Sequence, residues 1–296
     1  MKDFRGTGVA MVTPFKVSGE VDFPALEALT NHLIDGGVDY LVVQGTTGES
    51  ATLTQSEKQE VLDCVVDVNE GRLPLVFGHG GNDTRALIHG FEKIDLKGVD
   101  AILSASPYYN KPTQNGIIAH YKALADASPL PLILYNVPGR TASNMSSSTT
   151  LELANHSNII AMKEASGDLD QVGAIIKRKP SKFLVLSGDD PLVVPHMSLG
   201  GDGIISVIAN AFPEEFSAIS KACFIGDYNK ARKYHYLLID FVYLLFAEGN
   251  PGGIKAALEI LGVTEAHVRL PLAPISNELY KKMEKTIEQI KGAKVE

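Results

Sequence analysis

A (β/α)8 barrel followed by a C-terminal three-helix extension is the α/β fold that this sequence predicts, and three observations predict it. Eight short runs rich in Val, Ile and Leu recur as far as residue 208. Amphipathic helical patterns fill the gaps between them, the alternation that builds a parallel sheet covered on both faces. The length, 296 residues, fits one barrel with an appendage. An open doubly wound sheet is the competing architecture, but the dinucleotide fingerprint is missing. "GHGGN" (78–82) has the wrong glycine spacing and "GTTGES" (45–50) is no phosphate loop.

The strands follow in order. "GVAMVTP" (8–14), "DYLVVQG" (39–45), "LPLVFGHG" (73–80) and "DAILSAS" (100–106) form the first half of the barrel. "PLILYNV" (131–137), "NIIAMKEA" (158–165), "FLVLSGD" (183–189) and "DGIISVI" (202–208) form the second. Each is a continuous apolar run bounded by Gly, Pro, Asn or Asp, which suits a strand buried on both faces. Between them, Thr54 to Glu57 reads as a capping box ahead of Val61, Leu62, Val65 and Val68 at helical spacing. Asn82 or Asp83 caps the segment carrying Leu87, Ile88 and Phe91, and Pro191 and Pro213 fall near first helical turns. Strands stop after about residue 224, and helical patterns at 227–247, 251–262 and 275–292 complete the chain. The expected division is a barrel over 1–224 and a helical extension over 225–296.

Composition narrows the function. A net charge of −8 without a long basic run argues against nucleic acid as a partner. No apolar run reaches the ~18 residues of a membrane span, and "MKDFRGTGVAMVTPF" has no cleavable hydrophobic region. Cys64 and Cys223 make no CxxC pair and read as thiols of a cytoplasmic protein. The eight histidines are scattered without HxH or HExxH spacing. His79 and His196 therefore read as structural or surface groups, and a divalent-metal site is not expected.

In a barrel, chemistry sits at the C-terminal ends of the strands. Those ends carry Thr46 and Thr47, Tyr108 and Tyr109, Tyr135, Lys163, Gly188, and Ile205 with Ser206. Lys163 interrupts the apolar run of the sixth strand. By strand alternation it shares a face with Ala161 and Ala165, while Ile160, Met162 and Glu164 face the helices. Small neighbours leave room around a long side chain. A lysine attacks a carbonyl only when neutral, and burial disfavours an ammonium, so this placement suits covalent catalysis. Tyr135 offers a hydroxyl to move protons and Thr46 one to pass them on. The alternative is a lysine that snorkels to solvent or pairs with a carboxylate such as Glu164.

At these residues a resemblance emerges. "GTTGES" (45–50), "YNVPGRT" (135–141), "KEASGD" (163–168) and "GDGIISV" (202–208) resemble the 4-hydroxy-tetrahydrodipicolinate synthase (dihydrodipicolinate synthase) family. That family belongs to the N-acetylneuraminate lyase superfamily of class I aldolase barrels. The likeness runs from "GTGVAMVTPF" to "VRLPLAPIS" at 268–276. It implies a lyase that condenses pyruvate with L-aspartate 4-semialdehyde, for lysine and diaminopimelate synthesis. Lys163 would form the imine with pyruvate, and Tyr135 would donate and accept protons. Thr46 and Tyr109 would complete the relay, Tyr109 coming from a neighbouring subunit of a homotetramer. Thr47 would hold the pyruvate carboxylate, with Ile205, through its backbone, and Gly188 also in the substrate site. No metal or organic cofactor is implied.

Arg140 separates the branches of the superfamily. It follows Pro138 and Gly139 in a loop beyond the strand of Tyr135, where a guanidinium can grip a carboxylate. The resemblance assigns it the carboxylate of aspartate semialdehyde, whereas sialic acid lyases generally lack "PGR" here. Another pyruvate-dependent aldolase of the superfamily, or a non-catalytic 2-oxo acid sensor, are the rival readings. Members inhibited by lysine bind it at a dimer interface, and Ser50, Ala51, Asn82 and Tyr108 match that site. Those members carry a glutamate where this chain has Ala86, and histidines at Gln55 and Lys58. Weak feedback inhibition is therefore expected.

Overall fold

Eight parallel strands close on themselves in sequence order in the computed structural model, which describes residues 2–293. They are β1 (Gly6–Ala10), β2 (Tyr40–Val43), β3 (Leu75–Gly78), β4 (Ala101–Ala105), β5 (Leu132–Asn136), β6 (Ile159–Glu164), β7 (Leu184–Ser187) and β8 (Gly203–Ser206). Pairing of β1 with β8 completes the barrel. Around it run α1 (Phe23–Asp35), α2 (Gln55–Asn69), α3 (Thr84–Gly90), α4 (Gln114–Ala127), α5 (Pro138–Thr141), α6 (Ser147–Leu153), α7 (Leu169–Ile176), α8 (Val193–Ser198) and α9 (Pro213–Phe224). The extension is α10 (Tyr228–Phe246), α11 (Gly252–Ile260) and α12 (Asn277–Gly292), close to the three segments that the sequence predicts.

Alternation along the strands sorts side chains into two cores. Ala10, Tyr40, Val42, Val76, Ala101, Ile133, Leu186 and Ile205 fill the barrel interior. Their neighbours Val9, Leu41, Val43, Leu75, Leu134, Met162 and Val185 pack outward with the helices. Gly8 is required by this filling, because a Cβ there would lie 2.1 Å from the Tyr40 ring.

Two local expectations are corrected. β1 begins earlier than residue 8 because Gly6 and Thr7 pair with β8, and it ends at Ala10, short of 14, where Asn210 takes the next backbone groups. Its Nδ2 donates to the Ala10 carbonyl, and its Oδ1 accepts from Val12 N. In β6, Leu132 faces Ile159 but Ile133 faces Ala161, so one extra residue is inserted. That bulge turns Ile160 into the inner core, not toward the helices as simple alternation requires. Past it alternation resumes, with Met162 outward and Lys163 inward.

Helix starts follow local chemistry. Thr54 and Glu57 close the capping box of α2 in both directions, and Asp83 rather than Asn82 caps α3. Asp227 and Ser276 cap α10 and α12, each cap of this kind contributing about 1 kcal/mol. α10 packs on α9 and α12, and α11 lies against both α10 and α12. Among the described residues no helix is long and apolar enough to cross a membrane.

Candidate active site

Lys163 sits near the end of β6, 5% exposed, with Tyr135 of β5 as its register partner. Its Nζ stands 4.5 Å from the centroid of the Tyr135 ring. Among the described residues, no hydrogen bond or ion pair reaches that amine, nor any hydrogen bond the Tyr135 hydroxyl. Glu164, the carboxylate one residue on, is committed elsewhere. It accepts from Asn136 Nδ2 at 3.1 Å, Gln171 Nε2 at 3.0 Å and Ser166 N at 2.7 Å, and burial raises its pKa. Asp189 and Asp190 feel the lysine charge only through space. Burial raises both, and Lys163 partly offsets that rise. Asp190 instead accepts from Val207 N and Ile208 N, fixing the turn beyond β8.

Gly188 makes the space for this lysine. A Cβ there would lie 2.6 Å from Ala165 Cβ and 3.0 Å from Lys163 Cε. Ile205 is fully buried in β8, in the same inner core as Tyr135 and Leu186.

A cavity of about 600 Å³ reaches Tyr135, with Thr46, Ala105, Tyr108, Arg140 and Asn250 also in its walls, while Lys163, Thr47, Gly188 and Ile205 lie outside that lining. Thr46 opens a one-turn 3-10 helix (Thr46–Gly48) after β2, and is exposed while Thr47 is buried. Thr47 Oγ1 accepts from Asn250 Nδ2 at 3.0 Å. Arg140 lies in the single turn of α5, not in a loop, with Pro138 at its start. Its Nη2 donates to the Asn250 carbonyl at 3.5 Å, leaving most of the exposed guanidinium free. Asn250 thereby ties Thr47 to Arg140. Tyr109 is not brought in: it is 87% exposed, with a left-handed φ of 73°.

A second cavity, about 410 Å³, is lined by Ser50, Gln55, Lys58, Asn82 and Ala86. Ser50, Lys58 and His79 border both cavities, whereas Ala51 and Tyr108 line the first. Burial lowers the pKa of Lys58.

Several residues at this rim escaped the sequence reading. Gln44 precedes the threonine motif at a left-handed φ of 63°, 2% exposed, with neither amide atom hydrogen-bonded. Glu49 and Lys255 form a fully buried ion pair between that motif and α11. Arg269 lies over the Phe15 ring and grips Glu57 with two nitrogens. A signal existed for Lys255, which interrupts the apolar run of "GIKAALEI" as Lys163 interrupts its strand.

His79 Nε2 and His196 Nε2 each meet a main-chain carbonyl, of Leu87 at 2.9 Å and of Val185 at 3.0 Å. Among the described residues no three His, Cys, Asp or Glu side chains converge as metal ligands.

The sequence and the fold are similar to those of known proteins. The Dihydrodipicolinate synthetase family matches residues 3–290. A 4-hydroxy-tetrahydrodipicolinate synthase from Parabacteroides distasonis is 48% identical over 289 residues, 97% of each chain. The crystal structure of dihydrodipicolinate synthase from Aquifex aeolicus superposes with a TM-score of 0.93 at 41% identity, covering 97% of this chain and 98% of that one. A structure described as the first monomeric dihydrodipicolinate synthase variant gives 0.95 at 35% identity, covering 97% of each. The chain therefore belongs to the dihydrodipicolinate synthetase family.

Proposed function

We propose that this enzyme condenses pyruvate with L-aspartate 4-semialdehyde through an imine on Lys163. One observation carries the mechanism: a buried amine that no hydrogen bond or ion pair among the described residues occupies, packed on the face of a tyrosine whose hydroxyl is also free of hydrogen bonds. An unpaired buried amine is costly to keep unless chemistry uses it. Lys163 attacks the ketone of pyruvate and water leaves, with Tyr135 and Thr46 moving the protons. Loss of a methyl proton turns the imine into an enamine, whose carbon attacks the aldehyde of the second substrate. The substrate amine then displaces Lys163 and closes the ring, giving 4-hydroxy-tetrahydrodipicolinate. The protonated imine serves as electron sink, so the chemistry needs no metal or organic cofactor.

The neighbouring residues take roles consistent with their positions. Thr47 holds the pyruvate carboxylate, and Ile205 holds pyruvate through its backbone. Gly188 keeps the floor open for Lys163, and Arg140 receives the carboxylate of aspartate semialdehyde. Tyr109, exposed and in a left-handed conformation, completes the relay of an adjoining subunit. The assembly we propose is a homotetramer of such dimers. Catalysis belongs to the barrel (1–224), with the extension (225–296) supporting its rim. Two free thiols fit a cytoplasmic location.

Borohydride added with pyruvate tests the reading. The expected result is a reduced pyruvate adduct on Lys163, absent from Lys163→Ala. An adduct on another lysine, or none in active enzyme, overturns it.

A further inference from the structure

The threonine turn is gripped from outside the barrel. Glu49, which ends that turn, takes a left-handed φ of 53° and has a fully buried side chain. Its Oε1 accepts from Lys255 Nζ of α11, and its Oε2 accepts from Arg269 N at 3.0 Å. Lys255 is itself 0% exposed. Its Nζ also donates to the His267 carbonyl at 2.7 Å and stands 4.1 Å from the centroid of the Phe15 ring.

Three features separate this pair from ordinary packing. Two buried charges lose their hydration, a loss that an apolar pair of similar volume would avoid. Burial pulls the Lys255 ammonium down to about 8, against the opposing pull of Glu49, the mark of a charge held away from water. A left-handed backbone is also unfavourable at a residue with a Cβ, and here the carboxylate's two anchors hold it. The same segment reaches the turn a second time through Asn250, which donates to Thr47 Oγ1. The turn that carries Thr46 and Thr47 is thus fastened at two side chains by residues just before and within α11.

We infer that Glu49 and Lys255 are positioning residues for the condensation: their ion pair sets Thr46 and Thr47 opposite Lys163 and Tyr135, so the C-terminal extension completes the site. The inference rests on the imine mechanism proposed above. Neither residue touches substrate in this account; both act through the placement of the two threonines.

The test is the double variant Glu49→Gln/Lys255→Met, which removes both charges and leaves neither buried alone. Thermal unfolding, steady-state kinetics and borohydride trapping of pyruvate are measured beside the wild type. A folded variant is expected whose pyruvate KM rises, and whose rate of adduct formation falls, each by at least about tenfold. The KM for aspartate semialdehyde, whose carboxylate contact lies on α5, is expected to stay within roughly twofold, where general loosening of the site would move both. Wild-type kinetics in the folded variant overturn the inference. So does a double variant that fails to fold, because the pair then belongs to the scaffold. Absence of an adduct in the wild type overturns the imine mechanism first, and this inference with it.

Discussion

The Nζ of Lys163 faces the ring of Tyr135, 4.5 Å from its centroid, and the two residues are register partners on β5 and β6. The ring packs against the amine, and among the described residues the hydroxyl has no hydrogen bond. Tyr135→Phe keeps the ring and removes the hydroxyl. Turnover is expected to fall roughly a hundred- to ten-thousand-fold, the range for loss of a general acid–base, with the melting temperature little changed. Stopped assays and thermal unfolding on one preparation check it. A variant with near wild-type turnover would remove Tyr135 from the mechanism.

Arg140→Ala is expected to spare imine formation with pyruvate and to impair use of aspartate semialdehyde. Losing a charge-assisted contact costs on the order of 1.5–3 kcal/mol. That corresponds to roughly a ten- to hundredfold loss in kcat/KM. Pyruvate trapping and steady-state kinetics separate the two half-reactions. Equal loss in both would place Arg140 in the pyruvate site or the scaffold.

Tyr109 presents its side chain outside its own barrel, so its effect is expected to appear in mixed oligomers. Tyr109→Phe should lower activity. Wild-type protein mixed with Lys163→Ala should form hybrids with altered activity per wild-type site. Sedimentation that finds a fully active monomer would overturn the shared-site reading.

L-Lysine at sub-millimolar concentration is expected to leave the initial rate unchanged. Ala86 in the second cavity offers no carboxylate to a ligand ammonium, and Lys58 adds a like charge. The missing contact is worth about 1.5–3 kcal/mol, roughly ten- to a hundredfold in affinity. A lysine titration at saturating pyruvate checks this, and strong inhibition would refute it.

Acid should weaken the enzyme through Glu57. Its carboxyl is held at about 2, below the usual 4.5, chiefly by the hydrogen bonds from Arg269. A carboxylate depressed in the folded state contributes stability that is fully present above about pH 4.5 and is lost as pH falls toward 2. Glu57→Gln should therefore lower the melting temperature at pH 7 by more than it does at pH 3. Melting curves across that range check it, and an equal decrement at both pH values would contradict the assignment.

Much of this molecule is legible in its sequence because the signals are local. An apolar run bounded by turn residues reports a buried strand, and Thr54 with Glu57 reports a helix start, whatever lies elsewhere in the chain. Lys163, Tyr135 and the threonine motif could be placed at strand ends by the same reasoning, since one barrel rim collects all of them. The family motifs did the rest for Arg140. Other features depend on partners far away in the sequence. Nothing near Ile160 announces the bulge that turns it inward, because the bulge is a relation between two strands. Nothing near residue 10 announces that Asn210 will end β1. Glu49 and Lys255 are 206 positions apart, and although Lys255 interrupts an apolar run, nothing in either segment names its partner. Only closure of the barrel, with the extension folded back over its rim, makes them a pair. Local periodicity determined the elements and put Lys163, Tyr135 and the threonine motif at one barrel rim; long-range packing decided which buried polar groups meet and how the threonine turn is held.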